Sequence, residues 1–259
     1  MAELDGVPVR ADELQALALV NYGHFTSMRV DDQHVRGLSH HLDRLVGDCR
    51  EVFGTELDRA RVREHVRHAV GDRSGSFVVR VTVFDPGLDV GHPGVAAEPR
   101  VLVTTRTAGA WPPAPLRVRP VRYARDMPLV KHVGLFGAVM RRRGAQQDGF
   151  DDALFTDSAS FISEGPTWNI AFFDGERVVW PDAEVLPGVT MRLLREVDGG
   201  CVSAPVNLSD LGGMRAAFVT STTVGVRPVI GIGQLEFPAD HAVFDSLRKK
   251  YEEIPAERI

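Results

Sequence analysis

Four short stretches of this 259-residue chain carry residue types suited to joint chemistry. The first is Lys131, in Pro128-Leu129-Val130-Lys131-His132-Val133. Nearly all other basic residues are arginine. The remaining lysines, Lys249 and Lys250, sit in a charged run that reads as a solvated helix face. Arginine cannot give up its proton, whereas a lysine amine among apolar neighbours has its pKa driven toward neutrality by desolvation. A neutral amine can form a Schiff base with an aldehyde; a chance surface lysine is the plainer alternative. The second is Glu164, between Phe161-Ile162 and the strand-like 169–173. A carboxylate there needs a positive partner, which a protonated ring nitrogen or an arginine would supply. The third is Leu186-Pro187-Gly188-Val189-Thr190, opening a helix. Free N–H groups and the positive helix end attract an anion, and the Thr190 hydroxyl adds a donor. An ordinary helix entry has the same composition. The fourth is Phe218-Val219-Thr220-Ser221-Thr222-Thr223, a strand ending in hydroxyls. These can donate to phosphate oxygens or bond the local backbone.

Periodicity supplies the elements that must hold these groups. Leu38, Leu42, Leu45, Cys49 and Val52 recur at three- and four-residue steps and predict an amphipathic helix over 37–53. Further helices are expected over 11–22, 57–70, 131–144, 188–197 and 240–253. Strands are expected over 25–30, 76–84, 100–107, 116–122, 152–156, 168–174, 177–180, 216–222 and 228–233. Pro112-Pro113-Ala114-Pro115 fits neither a helix nor a central strand and predicts a linker over 108–115. Helices and strands mix without a βαβ rhythm, so the expectation is two α+β domains, 1–107 and 116–259.

Composition narrows the function classes. The net charge of −5 argues against a nucleic-acid binder. No apolar run is long enough to span a bilayer, and the first residues lack a signal pattern. Cys49 and Cys201 are too few for a disulfide framework; both read as small buried hydrophobes suited to the cytoplasm. His65 and His68 have a metal-compatible spacing, but Arg61, Arg63 and Arg67 interleave with them as on a solvated basic face, so no metal is expected. Gly231-Ile232-Gly233 lacks the third glycine and following helix of a dinucleotide site.

In this order the motifs resemble the class IV aminotransferases, the fold-type IV group of pyridoxal 5'-phosphate (PLP) enzymes. The resemblance runs from Tyr22 to about Val229. His41-Leu42-Asp43-Arg44-Leu45 is similar to the family's early His-Leu-x-Arg-Leu segment, whose arginine binds the cofactor phosphate. Lys131 falls where the Schiff-base lysine belongs. Gly149-Phe150-Asp151-Asp152-Ala153 resembles the Gly-x-x-Glu-Ala strand, with Asp152 for the glutamate. Glu164-Gly165 followed by Asn169 matches the signature whose glutamate faces the pyridine nitrogen. Pro187-Gly188-Val189-Thr190 and Thr220-Ser221-Thr222-Thr223 match the two phosphate turns. The resemblance implies a homodimer with PLP in the inter-domain cleft. Its phosphate would be held by Arg44, the Val189 and Thr190 amides, Ser221 and Thr222, with Asn169 beside Glu164.

The departures bear on subclass. The arginine and histidine that trap substrate carboxylate in D-amino-acid aminotransferases are replaced by Asp85-Pro86-Gly87-Leu88-Asp89. Arg80 lies inside a strand, where branched-chain enzymes carry an arginine. Their tyrosine five residues after the lysine is Phe136 here, and Gly-Ile-Thr-Arg reads Gly188-Val189-Thr190-Met191-Arg192. Tyr22, Phe25, Arg80 and Trp111 are the expected substrate-pocket residues. The implied activity is amino-group transfer between an amino acid or amine and a 2-oxo acid. An aminodeoxychorismate-lyase-like enzyme and a catalytically silent PLP-binding relative are the alternatives.

Overall fold

The computed structural model describes all 259 residues. In chain order the elements are β1 (Ala2–Leu4), β2 (Val7–Pro8), α1 (Gln15–Leu19), β3 (His24–Asp31), β4 (His34–Arg36), α2 (Leu38–Phe53), α3 (Arg59–Val70), β5 (Ser76–Phe84) and β6 (Arg100–Thr107). There follow β7 (Leu116–Arg122), α4 (Phe136–Gln147), β8 (Asp152–Thr156), β9 (Asn169–Phe173), β10 (Val178–Pro181), α5 (Val189–Asp198) and β11 (Val202–Ala204). A 3-10 turn at Leu208–Gly213 precedes β12 (Ala216–Ser221), β13 (Gly225–Ile232), β14 (Leu235–Glu236), α6 (Ala242–Glu253) and β15 (Ala256–Arg258). No helix is long and apolar enough to cross a membrane.

The chain forms two compact units. One comprises Met1–Gly109, Val130–Gly134 and Pro255–Ile259; the other comprises Ala110–Leu129 and Leu135–Ile254. The first break lies near the anticipated linker, but the division differs from two continuous halves. Two later pieces pack with the first unit because their main chains pair there. Residues 131–133 meet the start of β3, and β15 adds to β4.

In the first unit, seven strands run in the order β15-β4-β3-β5-β6-β1-β2, every pairing antiparallel. Val79, Val81 and Val83 recur at every second residue on one face of β5 and join a core with Leu38, Leu42, Leu45 and Cys49 of α2 and Val62 and Val66 of α3. Each such fully buried side chain contributes roughly 1.5–3 kcal/mol. Asp58 caps α3 by accepting from the Ala60 and Arg61 amides. The expected helix over 11–22 shrinks to Gln15–Leu19. None of its five residues is buried, so no packed face sustains a longer one.

In the second unit, the sheet order is β11-β10-β9-β12-β13-β7-β8, with β14 paired to β13. The β10–β11, β13–β7 and β7–β8 pairs are parallel and the others antiparallel. Both faces are covered. Ile170, Phe172, Ala217 and Val219 join one core, while Ala171, Phe218 and the apolar faces of α5 and α6 make the other. Cys201 is half-buried rather than buried. The helix expected from Lys131 starts at Phe136. Lys131 itself is extended, because its carbonyl accepts from the Phe25 amide at 2.8 Å while Val133 N–H donates to Gly23 at 2.9 Å.

Candidate active site

The predicted residues fall into two groups, one in each unit. In the first unit, Lys131 sits on the segment just described. Its Nζ lies 4.8 Å from the centre of the Phe25 ring, and the Arg80 guanidinium lies 3.6 Å from the same ring. Phe25 therefore gathers the lysine and the strand arginine around one buried aromatic face. Arg80 also donates to Thr82 Oγ1 at 3.2 Å and makes no ion pair. Burial, and then neighbouring Arg106, lowers its pKa. Gly23 permits this arrangement. Its φ is +151°, and a Cβ there would strike the Val83 carbonyl. Tyr22 is tied elsewhere, its hydroxyl donating to the Val52 carbonyl at 2.7 Å and its ring edge-on to Phe53.

Arg44 projects from α2, and its Nη2 donates to Thr26 Oγ1 at 2.5 Å. The same hydroxyl oxygen is 2.7 Å from His41 Nδ1. Arginine only donates, so Thr26 accepts from Arg44 and gives its single proton to His41 Nδ1. That leaves the imidazole proton on Nε2, a fully buried atom with no hydrogen-bond partner. Burial, followed by Arg44, holds His41 far below the usual histidine range. His24, also fully buried with neither ring nitrogen bonded, is pushed down to about 3, mainly by burial and then by Arg44.

In the second unit, Glu164 is 4% exposed, a burial that demands a partner. The partner in the structure is the arginine of the two sequence-derived options. Arg125 Nε donates to Glu164 Oε1 at 2.6 Å, and Arg125 Nη2 donates to the Gly165 and Pro166 carbonyls at 2.9 and 2.6 Å. Trp168 anchors the same turn through Nε1–H to Asp152 at 2.8 Å, and Arg142 grips both Asp152 oxygens at 2.9 and 2.8 Å.

Asn169 serves as a brace. Its Nδ2 donates to the Leu186 carbonyl at 2.8 Å, and its Oδ1 lies so close to Gly188 that a Cβ there would collide with it. This contact seats the start of α5, where Val189 and Thr190 present the amides that a helix leaves without intrahelical partners. Thr190 Oγ1 is buried without a hydrogen-bond partner, as is Thr220 Oγ1. Thr220 pairs with Asn169 in the β12–β9 register. Two orphaned hydroxyls and a helix N-terminus form a donor set for an anion such as a phosphate. Among the hydroxyls after Phe218, Thr220 is the buried orphan, while Ser221 Oγ lies 3.3 Å from Thr223 Oγ1 and Thr222 is half-buried. Trp111 covers the backbone of Gly225 just beyond.

Three contributors were not singled out from the sequence: Thr26, Arg125 and, as a donor, Thr220. Arg125 carried no pattern signal in an arginine-rich chain. Thr220 stood in the hydroxyl run, and its place on the inward side of the strand follows only from register. No group of three or more histidine, cysteine or acidic side chains is arranged to hold a metal ion.

A family model described as amino-transferase class IV matches residues 23–232. A probable branched-chain-amino-acid aminotransferase of Rickettsia felis is 30% identical over 129 residues, a match covering 46% of this chain and 44% of that relative, under half its length. A branched-chain aminotransferase from Thermoproteus uzoniensis, solved with norvaline, superposes with a TM-score of 0.87 at 17% identity, covering 97% of this chain and 93% of that one. A hypothetical aminotransferase from Mycobacterium tuberculosis in a PLP-bound form gives 0.82 at 17% identity, covering 97% of each chain. At such identities the structural likeness shows the fold.

Proposed function

We propose, from the premise that this chain belongs to the class IV aminotransferase family, that it moves an amino group between an amino acid or amine and a 2-oxo acid with PLP, Lys131 being the reacting amine. Bound PLP supplies an aldehyde that takes up the donor's nitrogen and a ring that accepts electrons from the donor's α-carbon. The residues present suit it. Thr190, Thr220, Ser221, Thr222 and the first amides of α5 would receive the phosphate, with Arg44 as its cation. Thr26 holds the Arg44 guanidinium in place, and buried neutral His41 fixes the direction of the Thr26 hydroxyl. Glu164 would keep the ring nitrogen protonated, and Arg125 keeps Glu164 ionised and oriented for that task. Displaced by an incoming amine, Lys131 Nζ would carry the proton away from the substrate α-carbon and return one beside it.

Arg80 supports a substrate that carries a carboxylate. It is a half-buried cation, stacked on Phe25 and without an acidic partner. Arg80→Leu should raise KM for acidic donors or acceptors several-fold while PLP binding holds. Phe136, Val139 and Met140 lie exposed on one face of α4, an apolar surface that a second copy would cover in a homodimer; light scattering tests the dimer. Neither Cys49 nor Cys201 is in a disulfide, in keeping with a cytoplasmic enzyme.

The observation that carries this reading is Lys131, a lysine beside Phe25 and Arg80 whose carbonyl is locked to β3. Borohydride reduction of the PLP-loaded protein should attach pyridoxyl to Lys131, and Lys131→Ala should abolish the visible absorbance band. Mapping of the label to Lys249 or Lys250 by mass spectrometry would overturn the assignment.

A further inference from the structure

Asp48 has no part in the scheme above, yet it is a carboxylate only 6% exposed, on the helix that also carries Arg44. Its Oδ2 accepts the Lys131 main-chain N–H at 3.2 Å. The rest of the segment is held by β3. The Lys131 carbonyl accepts from Phe25 N–H, the Val133 amide donates to the Gly23 carbonyl, and His24 and His132 form the bridge between them. The Lys131 N–H leaves this pairing and turns to α2 instead. Both main-chain groups of the lysine are thereby fixed from different elements.

A neutral acceptor would satisfy one amide equally well. A carboxylate adds a charge, and burying one is costly unless it is matched. We propose that Asp48 is the positioning residue of Lys131: it fixes the lysine's main chain through the amide, and its negative charge favours the protonated state of the nitrogen that Lys131 carries. The proposal rests on Lys131 being the PLP-bearing residue.

The charged and titratable groups around Asp48 agree with a charge role. Lys131 from its segment and Arg44 from α2 both favour its ionised form, while burial, the largest influence, raises it to about 6. Cys49, next on α2, is pushed up to about 11 by burial and then by Glu56 and Asp48, so it stays a neutral thiol near neutral pH. Asp48 thus sets a negative charge beside Lys131 above about pH 6 and withdraws it below.

Two substitutions separate the hold from the charge. Asp48→Asn keeps an acceptor for the amide and removes the charge; Asp48→Ala removes both. Hydrogen exchange of the peptide containing Lys131, read by mass spectrometry, needs no cofactor chemistry. It should be unchanged in Asp48→Asn and about tenfold faster in Asp48→Ala. The visible absorbance of the PLP-loaded protein, titrated against pH, should have its midpoint lowered by about one unit in Asp48→Asn, because the protonated nitrogen loses an opposed charge. Wild-type exchange in Asp48→Ala would overturn the hold, and a wild-type midpoint in Asp48→Asn would overturn the charge role. Should Asp48→Ala fail to fold, the Asp48→Asn titration decides the charge and Asp48→Leu exchange the hold. Borohydride labelling of each variant, mapped to its lysine, shows separately whether the Lys131 assignment itself stands.

Discussion

Glu164 and Arg125 depend on each other. The carboxylate is buried, and the guanidinium beside it is 12% exposed, donating also to two carbonyls of the turn that follows Glu164. Removing one partner of such a pair leaves an uncompensated charge, at a cost of about 3 kcal/mol. Arg125→Met should therefore lower unfolding free energy by that order in urea titrations and cut kcat by about 100-fold, since Glu164 then favours its neutral form and no longer protonates the ring nitrogen. Glu164→Gln should fold normally, bind PLP and lose kcat more than KM. The double variant should regain most of the stability lost by Arg125→Met, because a neutral amide tolerates the missing cation. Full additivity of the two losses would show that Arg125 acts independently of Glu164.

Histidine burial makes a second prediction at this scale. His24 titrates near 3 in the fold against 6.5 when free, so between these values the unfolded chain binds more protons. Its share of stability is complete above pH 6.5 and is lost as pH falls toward 3; His41 shifts the same way. By pH 4 the loss from His24 amounts to about 3 kcal/mol. His24→Phe should flatten this acid limb in urea denaturation between pH 4 and 7. Parallel wild-type and variant profiles would mean that His24 is solvated in the fold.

At the scale of elements, the start of α5 and the end of β12 present two buried hydroxyls with no partner in the protein. Each is a cost in the unloaded protein and a donor when an anion arrives. Thr190→Val and Thr220→Val keep the shape and remove the hydroxyl. Each should raise the stability of the PLP-free protein by about 1 kcal/mol and weaken PLP binding about tenfold. Ser221→Ala should do little, since Ser221 already lies against Thr223. Binding unchanged in both threonine variants would place the phosphate elsewhere.

These elements also show how far the sequence was readable. Strands β5, β6, β7 and β8 match their expected bounds residue for residue, because their alternation and flanking turns are local properties. Helix α2 was legible from its apolar period, and α5 from Pro187-Gly188. The lysine segment was not. It reads as a helix start, and only pairing with β3, more than a hundred residues earlier, makes it extended. β1, β4 and β15 were equally hidden, being three-residue strands that exist through their partners. Lys131, Arg44, Glu164 and Asn169 were accessible because motif and residue type coincide. Arg125 and Asp48 were not, since what distinguishes them is a contact across 39 and 83 residues of chain.

For the whole molecule, the test is whether the parts run a cycle. An aminotransferase must hold the donor's nitrogen after the first product leaves and then pass it to a 2-oxo acid. With a donor alone, the protein should yield one equivalent of oxo acid per protomer and stop; with an acceptor it should turn over and give parallel double-reciprocal lines. On the proposed reading Lys131, Glu164 and the phosphate donors would serve both halves of that cycle, and Arg80 would meet a carboxylate in each. A lyase needs no acceptor, so repeated release of pyruvate from aminodeoxychorismate without a 2-oxo acid would move the protein to that activity. A silent relative would bind PLP and show neither behaviour with any donor. We expect the parallel lines. Lys131, Glu164 and Arg44, on which the proposed chemistry rests, are all present, and the missing tyrosine at Phe136 removes one hydroxyl without changing them. A panel of L- and D-amino acids and amines, followed first without and then with 2-oxoglutarate, separates the three outcomes and names the donor class in the same assay.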